Sequence, residues 1–351
     1  MISTIKYLIL FIPILAICQS KTERSIELGL DYGKVLIHSK AIENVKSSNP
    51  LGISFSYFWR KTDSASFNKY AGLPALSINL KLIDFQNIIL GKGAIAAYSI
   101  HPTIFHSKII DIDSRVGVGM SYLNKYDFKE NNAYSAPISA FLTLGVNANI
   151  NLTPKLQLSI STGLSHISNG GVKLPNKGIN WLDNQIAIKY YPNNRLPIQK
   201  LLAQYRNNSY LKKDYWSVNF FTASKNLVSN NQVNKPIYGL NVQYSHQYNR
   251  NNGLTIGVEH FLDYAQVEDS PNTPYNFHKT GLLLGHEFLW GSVHFSQQFG
   301  IYLHPTPSGL SSWYHRWGLD IYLNKNIKIG GSLLAHGVVA YFPDIRLGYS
   351  F

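Results

Sequence analysis

The sequence predicts an all-β protein, a transmembrane antiparallel up-and-down β-barrel of about 14 strands, within a range of about 12–16. The chain contains about sixteen segments of roughly ten residues in which apolar and polar side chains alternate. Charged residues make up only 15% of the chain and aromatic residues 13%, with 23 tyrosines, whereas soluble proteins carry about a quarter charged residues. Short and long connections alternate along the chain. This combination favours a barrel over a secreted β-sandwich or β-helix.

The N-terminus has the three parts of a secretory signal peptide. Lys6 provides a positive charge, Tyr7 to Cys18 is almost entirely apolar, and a charged stretch begins at Lys21. The apolar part is too short for a membrane-spanning helix, which needs about 20 residues. We therefore expect residues 1–20 to be a cleaved signal peptide and residues 21–351 to form a single outer-membrane β-barrel. Cys18 raises the alternative of a lipid anchor, which the preceding Ile17 disfavours.

The predicted strands continue to the C-terminus, and no apolar run after the signal is long enough for a transmembrane helix. In each strand, alternate side chains point to opposite faces of the sheet. One face would contact lipid and the other the barrel lumen. Clear examples are Ile26–Tyr32, Val116–Tyr122, Leu182–Tyr190, Leu254–His260 and Ile345–Phe351.

The lengths of the connections predict the orientation, because outer-membrane barrels have short periplasmic turns and long extracellular loops. Short connections lie at 152–155, 249–253, 290–292 and 324–326. Long ones lie at 37–50, 124–137, 168–180, 225–236 and 264–279. Both termini are then expected in the periplasm. The segment from Pro192 to Asp214 breaks this pattern, because it is long, basic and periplasmic. Either it holds a short helix or the strand count there is mistaken.

One strand carries a histidine and a serine on its apolar face. From Leu156 to Ser168 the even-numbered positions are mainly apolar, and His166 and Ser168 continue that series. In a membrane barrel this face points toward lipid. An imidazole beside a hydroxyl is the minimum pairing for an activated serine nucleophile. The sequence therefore predicts a candidate catalytic pair at the extracellular end of the strand, at the depth of the outer leaflet.

A third group is expected to hold the imidazole in one tautomer. Asn180 has the same phase as Leu182 on the next strand, so its side chain should lie beside His166. Asp183 is the nearest carboxylate, but its phase points it into the lumen. Asn169 and Asn176 lie in the intervening loop and are candidates to donate hydrogen bonds to an oxyanion.

These residues resemble a known family. The run His166-Ile-Ser168-Asn169-Gly-Gly, with Pro175-Asn176-Lys-Gly178, is similar to the active-site segment of PagL-like lipid A 3-O-deacylases and of the larger Bacteroidetes acyloxyacyl hydrolases. Further similar pieces are Tyr32-Gly33, Ile37-His38-Ser39, Asp84-Phe85, Leu90-Gly91, Tyr314–Gly318 and His336–Phe351. The resemblance implies an outer-membrane serine esterase that removes an acyl chain from lipid A of lipopolysaccharide. It also implies that Ser168 is the nucleophile, His166 the base and Asn176 an oxyanion donor.

One position departs from the deacylase pattern, which has a glutamate where this chain has Asn180. Outer-membrane phospholipase A has a similar His-x-Ser-Asn-Gly run and an asparagine as its third member. A phospholipase A-like hydrolase is therefore one alternative. A non-catalytic barrel, either a channel or a surface binding protein, is another, because about 14 to 16 strands would enclose a polar lumen.

The chain is basic, with 32 Lys and Arg against 19 Asp and Glu, a net charge of +13. Lys173 and Lys177 flank the candidate site and are candidates to position the phosphates of lipid A. Most of the remaining positive charge has a general explanation, because the extracellular loops of any barrel in a lipopolysaccharide membrane gain from being basic. A barrel embedded in lipid is a poor candidate for binding nucleic acid. Without zinc-type His or Cys spacing, we expect no metal and no cofactor. The oligomeric state is left open.

Overall fold

The computed structural model describes residues 22–70, 72–196, 198–205, 213–227, 233–269, 277–304, 311–337 and 339–351. Within these ranges the strands form two closed antiparallel barrels, each with eight strands in its wall. The predicted signal peptide, including Cys18, lies outside the described residues. The all-β, up-and-down barrel class is confirmed.

The first barrel is formed by residues 22–190. Its strands are β1 (Thr22–Leu36), β2 (Leu51–Lys61), β3 (Ala75–Asp84), β4 (Lys92–His101), β5 (Thr103–His106), β6 (Ile110–Leu123), β7 (Ile138–Thr153), β8 (Leu156–Ser168) and β9 (Ile179–Tyr190). The wall closes because β1 pairs with β9. β4 pairs with β6, and the short β5 pairs with the beginning of β6.

The second barrel is formed by residues 214–350. Its strands are β10 (Asp214–Asn226), β11 (Asn234–Asn249), β12 (Asn252–Asp263), β13 (His278–Trp290), β14 (Val293–Tyr302), β15 (Trp313–Tyr322), β16 (Ile327–His336) and β17 (Val339–Ser350). β17 closes this barrel by pairing with β10. The prediction of a single barrel over residues 21–351 was therefore wrong. Alternation along a strand does not specify its partner, and β1 pairs with β9 rather than with β17.

The segment between the barrels contains α2 (Ile198–Tyr205), so a short helix does interrupt the predicted loop at 192–214. The other helices are a 3-10 helix (Lys40–Val45), α1 (Ser64–Tyr70) and α3 (Tyr264–Asp269). Among the residues described, none of the helices is long and apolar enough to cross a membrane.

Each wall separates an apolar outer surface from a polar lumen. Leu28, Leu30 and Ile345 point outward and are 67%, 68% and 74% exposed. In the first lumen, Lys81 Nζ lies 2.9 Å from Asp31 and 2.8 Å from Asp183. In the second, Arg316 pairs with Glu259 and Asp344. An eight-stranded barrel has an interior just wide enough for such side chains, so both lumens are filled rather than open.

Apolar side chains close one end of the first barrel, which we call the loop end because residues 37–50, 85–91, 124–137 and 169–178 connect the strands there. Trp181 is fully buried against the rings of Phe85 and Phe141. The hydroxyl of Tyr134 donates to the carbonyl of Leu90 at 2.5 Å. Burial raises the pKa of Tyr134, which keeps this donor protonated. The loops around the candidate site are therefore anchored in a packed core.

The two barrels touch at two places, one at the loop end, where Gly170 lies beside Pro343, and one at their turn ends on the opposite side. Asn251 Nδ2 donates to the carbonyl of Tyr70 at 2.7 Å. The guanidinium of Arg250 lies 5.1 Å from the ring centre of Phe67. Helix α1 of the first barrel therefore packs against the β11–β12 turn of the second.

Candidate active site

The candidate site lies on the outer face of the first barrel, where β8 reaches the loop end. Along β8 the odd-numbered side chains are in the lumen, as Ser165 shows with 1% exposure. The even-numbered side chains point outward, and Leu164 is 52% exposed. His166 and Ser168 follow Leu164 on the outer face, half-buried. His166 and Ser168 therefore face outward, as the alternation along the strand predicts.

Asn180 lies directly across from His166. The two residues are Cα partners in the β8–β9 ladder, and Nδ1 of His166 is 2.5 Å from Oδ1 of Asn180. Because the amide oxygen can only accept, the hydrogen of this bond is on Nδ1, which leaves Nε2 unprotonated in the neutral ring. Asp183 is in the lumen as predicted, bonded to Lys81. The arrangement therefore orients His166 as a proton acceptor toward the outer face.

The hydroxyl of Ser168 accepts two hydrogen bonds from the loop that follows it. The backbone N–H of Gly170 lies 3.0 Å from Oγ, and Nδ2 of Asn176 lies 2.8 Å from it. Both groups are donors, so the hydroxyl hydrogen of Ser168 is available to another acceptor. The same two donors would stabilise negative charge that develops beside this oxygen.

His166 and Ser168 share a face, but within the described ranges Nε2 of His166 and Oγ of Ser168 are not hydrogen-bonded to each other. Their remaining capacities are complementary, because Nε2 is an acceptor and the hydroxyl has a hydrogen to donate. Catalytic hydrogen bonds are often long in the absence of substrate and shorten in the complex.

Asn169 does not join the site in the way that Asn176 does. Its Nδ2 donates to the carbonyl of Lys173 at 2.8 Å, and its Oδ1 accepts from the N–H of Gly171 at 2.9 Å. Its backbone N–H donates to Oδ1 of Asn176 at 3.1 Å. Asn169 therefore shapes the loop and holds Asn176, and its side chain has no hydrogen bond to Ser168.

The loop from 169 to 178 is held by the neighbouring loop at 124–137. The N–H groups of Lys177 and Gly178 donate to the carbonyls of Asn132 and Ala133 at 3.0 and 2.8 Å. The side chains of both Lys173 and Lys177 are exposed. The two lysines thus present their ammonium groups at the surface beside the site.

The structure brings two further groups to the site. The N–H of Gly170 is one, and no side-chain pattern marks a backbone donor. The other is His38, whose Nδ1 lies 3.0 Å from Nδ2 of Asn180 and whose Nε2 lies 2.8 Å from the carbonyl of Lys177. His38 is 142 residues before Asn180 in the chain. In the sequence it stood out only as part of the family resemblance.

Comparison with solved structures returns β-barrel channels. A mutant of the Rh. blastica porin is 10% identical, with 94% of this chain and 99% of the porin covered and a TM-score of 0.21. A TodX monoaromatic hydrocarbon channel mutant is 6% identical, with 95% and 90% covered and a TM-score of 0.20. Superpositions this poor carry no argument about function. No curated protein matches the chain.

Two family models match the sequence, one for each barrel. Lipid A 3-O-deacylase (PagL) matches residues 51–188, which include β8, β9 and the loop between them. Acyloxyacyl hydrolase, C-terminal domain, matches residues 214–351, which include the whole second barrel. Together with the outward-facing histidine and serine, these matches show that the chain belongs to the PagL lipid A 3-O-deacylase family of outer-membrane ester hydrolases.

Proposed function

We propose that this protein removes an ester-linked acyl chain from lipid A in the outer leaflet, with Ser168 as nucleophile, His166 as base and Asn180 as the group that orients the base. One observation supports this proposal: His166, Ser168 and Asn180 lie on the same outer face of the first barrel, where His166 is hydrogen-bonded to Asn180. A substrate that reaches them must approach from the bilayer. Lipid A carries ester-linked acyl chains at that surface.

In the first step, Nε2 of His166 takes the hydroxyl proton of Ser168 as Oγ bonds to the ester carbonyl carbon. The carbonyl oxygen becomes an oxyanion in the tetrahedral intermediate. The ester C–O bond then breaks, and His166 returns the proton to the leaving alcohol oxygen. Water, activated by His166, releases the fatty acid from the acyl-enzyme in the same way.

The donors for the oxyanion are the N–H of Gly170 and Nδ2 of Asn176. Both already lie within 3.0 Å of Oγ of Ser168, beside the carbon that would be attacked. Removing one such donor typically costs about 10²–10³-fold in kcat. Asn169, the other predicted candidate, supports this arrangement by holding Asn176.

Lys173 and Lys177 are proposed to bind the phosphates of lipid A. Both are exposed on the loop that supplies Asn176, so charge-assisted contacts could form without burying an ammonium group. The alternation of loop lengths supports an extracellular position for this loop, with both termini in the periplasm.

The proposal is tested by mass spectrometry of lipid A from cells that express the wild-type chain, Ser168→Ala or Ser161→Ala. Ser161 is on the same strand but points into the lumen, with 4% exposure. We expect wild type and Ser161→Ala to remove one acyl chain and Ser168→Ala to remove none. Loss of the acyl chain in the Ser168→Ala strain would overturn the proposed nucleophile.

The same cells distinguish the second candidate, a phospholipase A-like hydrolase. The amide of Asn180 facing His166 is the feature that favours it, since an asparagine is the third member in that type of enzyme. Unchanged lipid A with new lysophospholipid in the wild-type strain would identify phospholipid as the substrate.

A further inference from the structure

Asn180 presents a problem of orientation that a carboxylate would not. A carboxylate offers an acceptor oxygen whichever way it faces, whereas an amide has one acceptor and one donor. If Nδ2 faced His166, the imidazole would have to accept at Nδ1 and carry its hydrogen on Nε2. It could then not take the proton of Ser168. Some other group must therefore hold the amide with its oxygen toward His166.

We propose that His38 is this positioning residue: it holds the amide of Asn180 so that the oxygen faces His166 and the nitrogen faces away. The inference rests on the proposed function, because the tautomer of His166 matters only if that ring is the base. His38 itself is not expected to touch the substrate or the reacting atoms.

The hydrogen-bond chain has a single direction when both rings are neutral. It begins at the backbone carbonyl of Lys177, which can only accept, so Nε2 of His38 carries a hydrogen and donates to it at 2.8 Å. Nδ1 of His38 is then an acceptor, and Nδ2 of Asn180 donates to it at 3.0 Å. Oδ1 of Asn180 accepts from Nδ1 of His166 at 2.5 Å.

The carbonyl of Lys177 therefore determines the tautomers of two histidines and the orientation of one amide. Turning the amide around would place Nδ2 against His166 and Oδ1 against Nδ1 of His38. The second contact requires a hydrogen on Nδ1, which a neutral His38 that already donates from Nε2 does not have. The turned amide would consequently lose a hydrogen bond.

The fold supplies His38 at this place by strand pairing. Asn180 on β9 has His166 of β8 as its partner on one side and Leu36 of β1 on the other. His38 follows Leu36 by two residues. The 3-10 helix that begins at Lys40 buries Ile42 and Val45, with 1% and 2% exposure, which anchors the backbone after His38.

The test compares two substitutions of His38 in the full-length protein, purified in detergent micelles. His38→Phe keeps a ring and removes both hydrogen bonds, whereas His38→Gln restores one acceptor and one donor. Hydrolysis of a p-nitrophenyl fatty-acyl ester is measured, so the readout does not depend on lipid A as the substrate. We expect His38→Phe to lower kcat about 10- to 100-fold with KM changed less than about twofold, and His38→Gln to recover most of kcat.

A double substitution separates positioning from a general structural role. In the Asn180→Asp background, the side chain has an acceptor oxygen facing His166 whichever way it is turned. Adding His38→Phe to this background should therefore change kcat less than about threefold. If Asn180→Asp is itself inactive, the comparison of His38→Phe with His38→Gln decides. Unchanged kcat in His38→Phe, or an equal loss in Phe and Gln variants that still fold, would overturn the proposal.

Ser168→Ala keeps this result distinct from failure of the proposed function. If Ser168→Ala still hydrolyses the ester, the proposed active site is wrong. If Ser168→Ala is inactive while His38→Phe behaves as wild type, the active site stands and only the role of His38 is wrong.

Discussion

Gly170 of the first barrel and Pro343 of the second are in contact: a Cβ built on Gly170 would lie 3.0 Å from Cγ of Pro343. Pro343 is on the outer face of β17, between the lumen-facing Phe342 and Asp344. Gly170 follows Ser168 by two residues and donates its N–H to the serine hydroxyl. The second barrel therefore packs against the turn that supplies one of the two donors to Ser168.

This contact predicts that Gly170→Ala lowers kcat by more than Gly171→Ala. Both glycines have positive φ, +69° and +89°, so a side chain strains the backbone at either position. A Cβ at Gly171 would meet nothing within 4 Å, whereas at Gly170 it would press on Pro343. We expect the Gly170 variant to lose about a further 10-fold in kcat as its N–H is displaced. The loss of kcat is measured by esterase kinetics of the two single variants and of the double variant Gly170→Ala/Pro343→Ala. Equal losses of kcat in the two single variants would contradict the prediction.

Asn176→Asp tests the second donor. An aspartate keeps the oxygen that accepts from the N–H of Asn169 but loses the Nδ2 hydrogen that reaches Ser168. We expect kcat to fall about 10²–10³-fold with the protein still folded. Steady-state kinetics are the measurement, with heat-modifiable migration on gels as the folding control. Wild-type kcat in this variant would remove Asn176 from the site.

Asp183→Asn tests whether the carboxylate nearest in sequence takes part. Asp183 pairs with Lys81 in the lumen, and the substitution weakens a buried ion pair while Asp31 stays on Lys81. We expect the free energy of unfolding to fall by about 2 kcal/mol and kcat of the folded protein to stay the same. Urea unfolding and esterase assays check the two parts. By comparison, Asn180→Ala should lower kcat about 10²-fold or more. A larger loss of kcat in Asp183→Asn than in Asn180→Ala would make Asp183 the orienting group.

The filled lumens predict that the protein does not conduct ions on the scale of a porin. Arg316, 1% exposed, lies across the second lumen between Glu259 and Asp344. Lys81 lies across the first lumen between Asp31 and Asp183. Recording from planar bilayers with reconstituted wild-type protein checks this, with a general porin as the positive control. Steady porin-sized conductance steps would favour the channel alternative.

Much of the candidate site follows from alternation along single strands. The phase of Leu164 predicts that His166 and Ser168 face outward, and the phase of Leu182 predicts the same for Asn180. Asp183 is placed in the lumen by the same argument. These predictions needed only the two-residue repeat of a strand, a local property of the chain. The roles of His38 and of the N–H of Gly170 were not predicted. His38 is brought to the site by the pairing of strands that are distant in the sequence, and the N–H of Gly170 is a backbone group that no side-chain pattern marks.

By itself, the sequence determined that this is a β-barrel with an apolar outer face and that a histidine and a serine lie on that face. The tertiary structure decided that there are two barrels instead of one. The physical reason is that closure of a barrel depends on which distant strand pairs with β1. The same alternating strands are compatible with one barrel of sixteen strands or with two barrels of eight. Because each ring has only eight strands, each lumen is narrow enough for ion pairs to cross it. Pairing of β1 with β9 also brought His38, which follows β1 by two residues, to Asn180 of β9. The tertiary structure also placed Pro343 of the second barrel against the turn beside Ser168.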